Sequence, residues 1–256
     1  MSTILKVEQL QLSIAGKRIC TGLDWKIEPQ QIWGVLGVNG IGKSTLLQAL
    51  CGLQPIEHGE ISLQQQPLQQ LKRRDIARAV ALLFQHQDDI FPATVLEQVM
   101  MGRHPHTTLL KGEQPEDFKI AEQVIVAMGL SGMELRTVDT LSGGERRRVA
   151  LATILAQQPR LYLLDEPEAH LDPKHQKVIF NKVVEQARTQ QAALVMALHD
   201  INLAIHHCTH LLMLLKGGEA VQGEVKEMVS QQQIEQLYGT EMVRIEQNGQ
   251  IAYLAL

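Results

Sequence analysis

Apolar and polar side chains alternate near the start of the chain. A period of two places every second side chain on the same face of a β-strand. Residues 3–28 therefore predict strands that bury one face and expose the other. The apolar positions are Val7, Leu10, Leu12 and Ile14, followed by Leu23, Trp25 and Ile27.

The later parts of the chain alternate between apolar strands and helices. Residues 31–36 predict a short buried strand, and residues 94–158 predict a mostly helical block. Two further apolar strands, 161–164 and 193–198, lie on either side of a helix predicted over residues 174–189. Because strands that alternate with helices are typical of β-α-β units, this order predicts a parallel sheet.

Two hairpins are predicted near the C-terminus. Lys216-Gly217-Gly218 separates the apolar run 211–215 from a second short run. Asn248-Gly249 lies between the alternating runs 244–247 and 250–253. Asn-Gly in this setting is a strong signal for a two-residue hairpin.

A glycine-rich stretch between the predicted strand at 31–36 and the following helix carries the first chemical signal. Residues 37–44 fit G-x-x-x-x-G-K-[ST], the pattern of a phosphate-binding loop. A helix N-terminus offers free backbone N–H groups to an anion, and glycines let the backbone approach it closely. A turn without function is the alternative, but the strand and helix on either side favour the loop. The predicted nucleotide-binding residues are Gly37, Val38, Asn39, Gly40, Ile41, Gly42, Lys43, Ser44 and Thr45, with Lys43 on the outer phosphates and the Ser44 hydroxyl on Mg²⁺.

Composition and charge narrow the class of protein. The chain has 256 residues, 45% of them hydrophobic, so a large domain with a sizeable core can form. A net charge of −4 and a pI near 6.2 do not indicate a general binder of nucleic acid or anionic lipid. The three cysteines are far apart, which implies no disulfide framework and fits a reducing cytoplasm. With no visible signal peptide or long apolar run, the chain is not expected to span a membrane.

Two carboxylates follow the strand predicted at 161–164. Asp165, at a strand end beside the phosphate-binding loop, can hold Mg²⁺ directly or through water. Glu166 can activate the water that attacks the γ-phosphate. An acidic turn before Pro167 is the structural alternative, since such turns are common. The phosphate-binding loop in the same chain favours the catalytic interpretation.

The stretch Ser142-Gly143-Gly144-Glu145 precedes a helical run. Ser142 can cap this helix, and Glu145 three residues later completes a capping box. Ser142 and the two glycines also expose N–H groups to an anion. The basic residues 146–148 that follow are interpreted as a solvated or intersubunit face rather than as a nucleic-acid site.

With these motifs in this order, the chain resembles the ATP-binding cassette subunit of an ABC transporter over essentially all of its length. Residues 37–45 match the Walker A motif, residues 141–145 the signature motif, and residues 161–166 the Walker B motif with its catalytic glutamate. Walker A is shared by many NTPases, whereas the signature and the ordered set are specific to these cassettes.

The resemblance adds further site residues. Gln85 matches the Q-loop glutamine, residues 169–172 match the D-loop, and His199 before Asp200 matches the switch histidine. Outside this family order, a histidine at a strand end is an ordinary polar terminator. The resemblance implies Glu166, His199, Gln85 and Lys43 as catalytic residues, Ser44, Gln85 and Asp165 as Mg²⁺ ligands, and Ser142, Gly143, Gly144, Glu145 and Asp172 as additional nucleotide-binding residues.

The resemblance also implies an α/β fold. It is that of a RecA-like P-loop NTPase, a parallel sheet core with an N-terminal antiparallel β subdomain and an inserted helical subdomain that carries the signature. Residues 1–256 then form a single ABC ATPase domain. Its core comprises residues 1–85 and 159–256, and its helical subdomain comprises residues 86–158.

The implied cofactors are ATP and Mg²⁺, and the implied partners are those of a transporter. The signature of one copy closes over ATP held by the other, so a head-to-tail homodimer is expected. Two copies of a multi-span membrane permease and, indirectly, an extracytoplasmic solute-binding protein complete the assembly, with no nucleic acid. The expected location is the cytoplasmic face of the inner membrane.

A closer resemblance concerns the transported solute. Residues 92–95 and 101–106 resemble cassettes of iron-siderophore, haem and cobalamin importers, as do residues 214–218 and 236–239. Two alternatives are a soluble, translation-associated cassette protein and a chromosome-maintenance or repair ATPase. The first usually carries two cassettes in one chain, and the second needs a long coiled coil between the motifs. Neither feature is visible in this sequence.

Several positions depart from the family pattern. The aromatic residue that usually stacks on adenine is missing near Ile14 and Ala15. Arg147 replaces a common glutamine, and Glu168 replaces a common threonine. None of these changes removes a phosphate or metal ligand. The histidines and the cysteine within residues 206–210 suit no standard zinc spacing and are interpreted as the end of a helix.

Overall fold

Strands and helices alternate along most of the chain, and the computed structural model describes residues 3–85, 92–108, 112–169, 173–247 and 250–256. The strands are β1 (Leu5–Ile14), β2 (Lys17–Ile27), β3 (Ile32–Leu36), β4 (His58–Leu63), β5 (Gln66–Pro67), β6 (Val80–Leu83), β7 (Leu161–Asp165), β8 (Ala193–Ala197), β9 (His210–Leu214), β10 (Ala220–Glu224), β11 (Met242–Gln247) and β12 (Gln250–Ala255). The helices are α1 (Lys43–Leu50), α2 (Arg73–Ala79), α3 (Val95–Met100), α4 (Pro115–Ala127), α5 (Gly143–Gln157), α6 (Pro173–Thr189), α7 (Ile201–His207), α8 (Val225–Met228) and α9 (Gln231–Tyr238).

The central sheet has the strand order β10-β9-β3-β8-β7-β6. Its neighbours pair in parallel except β10, which is the antiparallel edge strand. The side chains of β7 alternate between two hydrophobic cores. Tyr162 and Leu164 belong to the core that includes α3, α4 and α5, and Leu163 belongs to the core that includes the antiparallel sheet. Such burial on both faces is typical of a parallel sheet. The predicted β-α-β unit is confirmed, with α6 between β7 and β8.

A second, antiparallel sheet with the order β2-β1-β4-β5 lies near the N-terminus. Val7, Leu10 and Leu12 are buried, as the alternation predicts. The prediction is wrong for Ile14, which is 43% exposed because it lies at the end of β1, next to the turn that leads to β2. The step of three residues from Val7 to Leu10 comes from a shift in pairing register, where Gln9 has φ 49°. Such bulges let a strand keep its apolar side chains on one face.

Helices α3, α4 and α5 pack together between β6 and β7 in the sequence. The apolar face of α4 is buried, with Ala121 and Ile125 at its centre. A buried ion pair joins the segment after α3 to α4, with 2.9 Å between Arg103 Nε and Asp117 Oδ1. The family fold predicted from the sequence is therefore present, including helices that carry the signature stretch.

The C-terminal strands β11 and β12 form the predicted hairpin. Gln247 pairs with Gln250, so two residues connect the strands; Asn248-Gly249 itself lies outside the described residues. The hairpin supports α7, because the Asn202 amide exchanges two hydrogen bonds with the backbone of Tyr253. In the part of the chain that is described, no helix has both the length and the apolar character needed to cross a membrane.

Candidate functional site

The candidate site lies at the carboxyl edge of the central sheet. The loop 37–42 follows β3, Gln85 follows β6, Glu166 follows β7 and His199 follows β8. Because parallel strands place their carboxyl ends at one edge, four segments that are distant in sequence meet there. We call Lys43, Gln85, Asp165, Glu166 and His199 the strand-end cluster.

Lys43 begins α1 and lies at the floor of the predicted phosphate site. It is only 5% exposed, and its Nζ donates to Gly37 O at 2.7 Å. Gly42 precedes the helix and has no side chain to cap it, and the first turn carries no acidic residue. The free N–H groups of this turn and the helix dipole therefore face an incoming anion. Burial lowers the pKa of Lys43, and nearby carboxylates, Glu166 above all, oppose this shift.

Strand β2 of the antiparallel sheet supports the loop from outside. Gly42 has φ 117°, and a Cβ there would lie 2.5 Å from Ile19 Cγ1. Lys17 donates a hydrogen bond to Gly40 O. Neither Lys17 nor Ile19 was predicted as part of the site, because their contribution depends on how the two sheets pack.

Ser44 and Asp165 were both predicted as Mg²⁺ ligands, and the Ser44 hydroxyl lies close enough to the Asp165 carboxyl to influence its pKa. Asp165 is 4% exposed, and its Oδ1 has no hydrogen-bond partner among the described residues. Burial raises the pKa of Asp165, and the Ser44 hydroxyl opposes this shift. A buried carboxylate oxygen beside a hydroxyl is an oxygen donor set of the kind that Mg²⁺ prefers, so these residues fit the metal.

Glu166 lies at the centre of the strand-end cluster. Gln85 Nε2 donates to its Oε2 at 2.8 Å, and His199 Nε2 contacts its Oε1. The backbone of Glu166 has φ 47°, in the left-handed region that residues other than glycine rarely adopt. Such strain is characteristic of functional sites, where surrounding contacts hold it in place. Three predicted catalytic side chains thus form one continuous set of contacts.

Arg147 corrects the interpretation of the basic run at 146–148. It is 6% exposed, and its guanidinium donates to Phe84 O at 2.9 Å, Asp165 O at 2.7 Å and Glu166 O at 2.5 Å. Arg146 is exposed as expected. The prediction of a solvated or intersubunit face is therefore wrong for Arg147, whose fork of donors meets carbonyls after β6 and at the end of β7.

Glu168 is a second charge that the motifs did not place in the site. Its Oε1 accepts a hydrogen bond from His199 N at 3.3 Å. Its Oε2 is buried and has no hydrogen-bond partner in the described ranges. Burial raises the pKa of the Glu168 carboxyl, while the His199 contact opposes the shift.

The predicted signature residues 142–145 lie elsewhere, at the N-terminus of α5. Ser142 Oγ accepts from Glu145 N at 3.3 Å, and Glu145 Oε2 accepts from Ser142 N at 2.8 Å, so the capping box is confirmed. Ser142 and Gly143 are exposed. Hydrogen bonds and ion pairs of the described residues do not join this stretch to the loop 37–45. We call it the signature end; Asp172 lies outside the described residues.

The turn between β1 and β2, against the phosphate loop, lacks an aromatic ring. Ile14 is 43% exposed, and Ala15 beside it is also exposed. An aliphatic side chain can cover a base only without the stacking energy of a ring.

The histidines near residue 207 take part in packing. α7 ends at His207, as the prediction of a helix end requires. His207 stacks on Phe180 with 5.0 Å between ring centroids, and His210 stacks on Trp33 at 4.6 Å. Over the described ranges, no three or more histidine, cysteine, aspartate or glutamate side chains form a group that could hold a metal ion.

Comparison with known proteins identifies the family. The family model described as "ABC transporter" matches residues 20–169, more than half of the chain. The chain belongs to the ABC transporter family. It is an ATP-binding cassette, and such cassettes are ATPases.

Two curated relatives match nearly the whole cassette. The ferric enterobactin transport ATP-binding protein FepC of Escherichia coli (strain K12) is 35% identical over 235 residues, which cover 92% of this chain and 87% of FepC. The hemin import ATP-binding protein HmuV of Pseudomonas aeruginosa is 37% identical over 246 residues, with 94% of both chains covered.

A solved structure shares the architecture of the cassette. It is described as a metal-chelate type ABC transporter in an inward-facing conformation, with a TM-score of 0.85 and 25% sequence identity. The match covers 100% of this chain and 98% of the other. The family fold of the cassette thus extends beyond the residues that the family model matches.

Proposed function

We propose that this cassette hydrolyses ATP to drive uptake of a metal chelate through a membrane permease. The solute class comprises iron-siderophores, haem, cobalamin and related compounds. One observation carries the chemistry: Glu166 is held between Gln85 and His199, beside the buried Lys43. The relatives named for ferric enterobactin and hemin support the solute class.

ATP binds with its phosphates against the loop 37–45. The N-terminus of α1 offers N–H groups, and Lys43 exchanges its bond with Gly37 O for an outer phosphate oxygen. Ser44, Asp165 and Gln85 would hold Mg²⁺, which would neutralise negative charge on the phosphates. The partnerless Oδ1 of Asp165 supports its role as a ligand.

Hydrolysis proceeds by in-line attack of water on the γ-phosphate. Glu166 accepts the proton of this water, and His199 orients the carboxylate through its Nε2. Lys43 stabilises the charge on the transferred group, and the products are ADP and phosphate. Gln85 donates a hydrogen bond to Glu166, which supports its role in reporting the γ-phosphate to the permease.

Two copies form a head-to-tail dimer with two composite ATP sites. The exposed signature end supports this arrangement. Its capping box uses the N–H groups of Ser142 and Glu145, and the N–H groups of Gly143 and Gly144 in the first turn of α5 are left for ATP on the other copy. Ser142, Gly143, Gly144, Glu145 and Asp172 contact that ATP. Residues 86–158 move as a helical subdomain against a core of residues 1–85 and 159–256.

The dimer works on two copies of a multi-span permease at the cytoplasmic face of the inner membrane. An extracytoplasmic solute-binding protein delivers the chelate, and nucleic acid takes no part. A soluble ABC ATPase of translation or repair is not favoured, because the similar relatives are named for import or transport.

The assignment of Glu166 is tested with E166Q. Steady-state ATPase activity falls by at least about a hundredfold, since a general base contributes on the order of 10²–10⁴ in rate. E166Q should also trap the ATP-bound dimer, which light scattering in the presence of Mg-ATP detects. E122Q, exposed on α4, is the matched control. Normal turnover in E166Q would overturn the assignment.

The transport role is tested after affinity purification of the cassette with its membrane partner. The complex is reconstituted in vesicles and offered labelled ferric siderophore, haem or cobalamin, with the E166Q complex as the control. ATP-dependent accumulation of one of them supports the proposal. Recovery of the cassette with ribosomes or DNA, and without a membrane protein, would contradict it.

A further inference from the structure

Two buried charges beside Glu166 have no role in the chemistry proposed above. Arg147 comes from α5, the helix that begins with the signature end, and Glu168 follows Glu166 by two residues. The two side chains bring one positive and one negative charge into the same buried site. A buried charge is costly unless an opposite charge and hydrogen bonds compensate it.

The Arg147 side chain connects three backbone carbonyls through hydrogen bonds. It reaches Phe84 O, just before Gln85, and the carbonyls of Asp165 and Glu166. One rigid guanidinium therefore joins α5 to the ends of two neighbouring strands. The strained backbone of Glu166 is one of its acceptors. Loss of this side chain would release the carbonyl next to the catalytic carboxylate.

The three carbonyls satisfy hydrogen bonds of Arg147 but do not neutralise its charge. Its Nε is buried and has no hydrogen-bond partner among the described residues. Burial lowers the pKa of Arg147, and Glu168 is the first of the carboxylates that oppose this, ahead of Asp165 and Glu166.

Glu168 is held by the backbone that follows β8. The backbone N–H of His199 fixes its Oε1, and its buried Oε2 has no hydrogen-bond partner in the described part of the chain. The charges that face it are Arg147, Lys43, His199 and, as a like charge, Glu166. Without Glu168, the buried charge of Arg147 would be opposed only by the carboxylates of the strand-end cluster itself, Asp165 and Glu166.

We propose that Arg147 is a positioning residue that fixes Glu166 from the signature helix, and that Glu168 is its charge partner. The pair acts as a unit. It couples the orientation of α5 to the placement of the catalytic carboxylate. This proposal rests on the proposed function, in which Glu166 is the general base.

The test is a double-mutant cycle with the full chain and Mg-ATP, comprising R147Q, E168Q and R147Q/E168Q. R147Q lowers kcat by about tenfold to a hundredfold, the scale expected when a catalytic group is misplaced. The KM for ATP changes by less than about threefold, since Arg147 contacts backbone rather than nucleotide. R147K behaves like R147Q, because an ammonium lacks the planar fork. R146Q, exposed one position earlier, and E122Q are the controls.

The second half of the cycle tests the pairing. R147Q/E168Q has a kcat at least about fivefold above that of R147Q, because the double change removes both charges. A double variant with only the product of the single effects would overturn the pairing. An R147Q enzyme as active as R146Q would overturn the positioning role. If R147Q alone does not fold, a folded double variant with a measurable kcat supports the pair, and an unfolded one contradicts it.

E166Q is assayed in parallel to separate this proposal from the function on which it rests. If E166Q keeps normal activity, the general-base assignment fails. If E166Q is inactive and R147Q is normal, only the role of the pair fails.

Discussion

The strand-end cluster and the signature end are built in opposite ways. Lys43 and Asp165 are 5% and 4% exposed, and side chains from several strand ends and helices hold one another in place. The signature end is exposed at the start of a single helix and is satisfied by its own capping box, from Ser142 to Glu145. The first region is preorganised within one chain, whereas the second offers its backbone to something outside it.

This difference teaches how the cassette divides its work. A buried, cross-linked cluster can bind phosphate and hold a base before any partner arrives. An exposed helix N-terminus can complete an anion site only when a second surface brings the anion. Substitutions in the strand-end cluster and in the signature end should therefore have effects that experiments can distinguish.

The largest effect is expected from Lys43→Ala in the strand-end cluster. ATPase activity falls on the order of 10²–10³, because a buried cation aimed at the phosphates is lost. ATP binding to the single chain weakens as well, as isothermal titration calorimetry can measure. Lys119→Ala, an exposed change on α4, is the control. Equal ATP affinity in the Lys43→Ala and Lys119→Ala variants would show that Lys43 does not bind the phosphates.

Ser142→Ala should impair the signature end and leave the strand-end cluster intact. ATPase activity falls by about tenfold or more, since a hydrogen bond to a charged phosphate is lost. ATP affinity of the dilute single chain stays unchanged by calorimetry. Ser230→Ala removes a similar cap from α9 and controls for the loss of helix stability. A weaker affinity in the dilute Ser142 variant would place the signature end in its own chain's site.

Gly42→Ala tests whether β2 shapes the phosphate loop. The free energy of unfolding should fall by about 2–4 kcal/mol, because a left-handed backbone and a clash with Ile19 both contribute. Gly40→Ala meets no atom within 4 Å and should cost only about 1 kcal/mol from the backbone. Urea unfolding compares the two variants. Equal losses would show that the contact with Ile19 carries no energy.

The smallest effect concerns the pH dependence of stability. Burial raises the pKa of Glu168 above its ordinary 4.5. At pH values between 4.5 and the raised pKa of the folded chain, the folded chain keeps a proton that the unfolded chain has released. The free energy of unfolding therefore falls as pH rises through this range. E168Q should lack the share of this fall that Glu168 contributes, while Asp165, whose pKa burial also raises, keeps its own share. E122Q should keep both. Urea unfolding with EDTA and without nucleotide measures it, and parallel curves for E168Q and the unaltered chain would contradict the expectation.

Local patterns in the sequence predict much of the fold and of the strand-end cluster. The alternation of β1, the buried strand β7 and the loop before α1 are each encoded within a few neighbouring residues. The capping box of α5 is also local, which explains why Ser142 and Glu145 were placed correctly.

The contributions that were missed depend on distant packing. Arg147 was assigned to a solvated face, because a run of three arginines looks exposed when it is considered alone. Its acceptors lie up to 63 residues away, at Phe84. Glu168 and Ile19 likewise gain their roles from neighbouring strands. The opposite signs of the two departures, Arg147 and Glu168, were the one sequence signal that they belong together.

The most direct test of the central claim is to mix two chains with impaired ATPase activity, Lys43→Ala and Ser142→Ala. In a head-to-tail dimer, the first chain supplies an intact signature end and the second an intact strand-end cluster. Each heterodimer then contains one complete ATP site, so random mixing should restore about a quarter of the unaltered ATPase rate. Activity that never exceeds the average of the two separate variants would contradict the account.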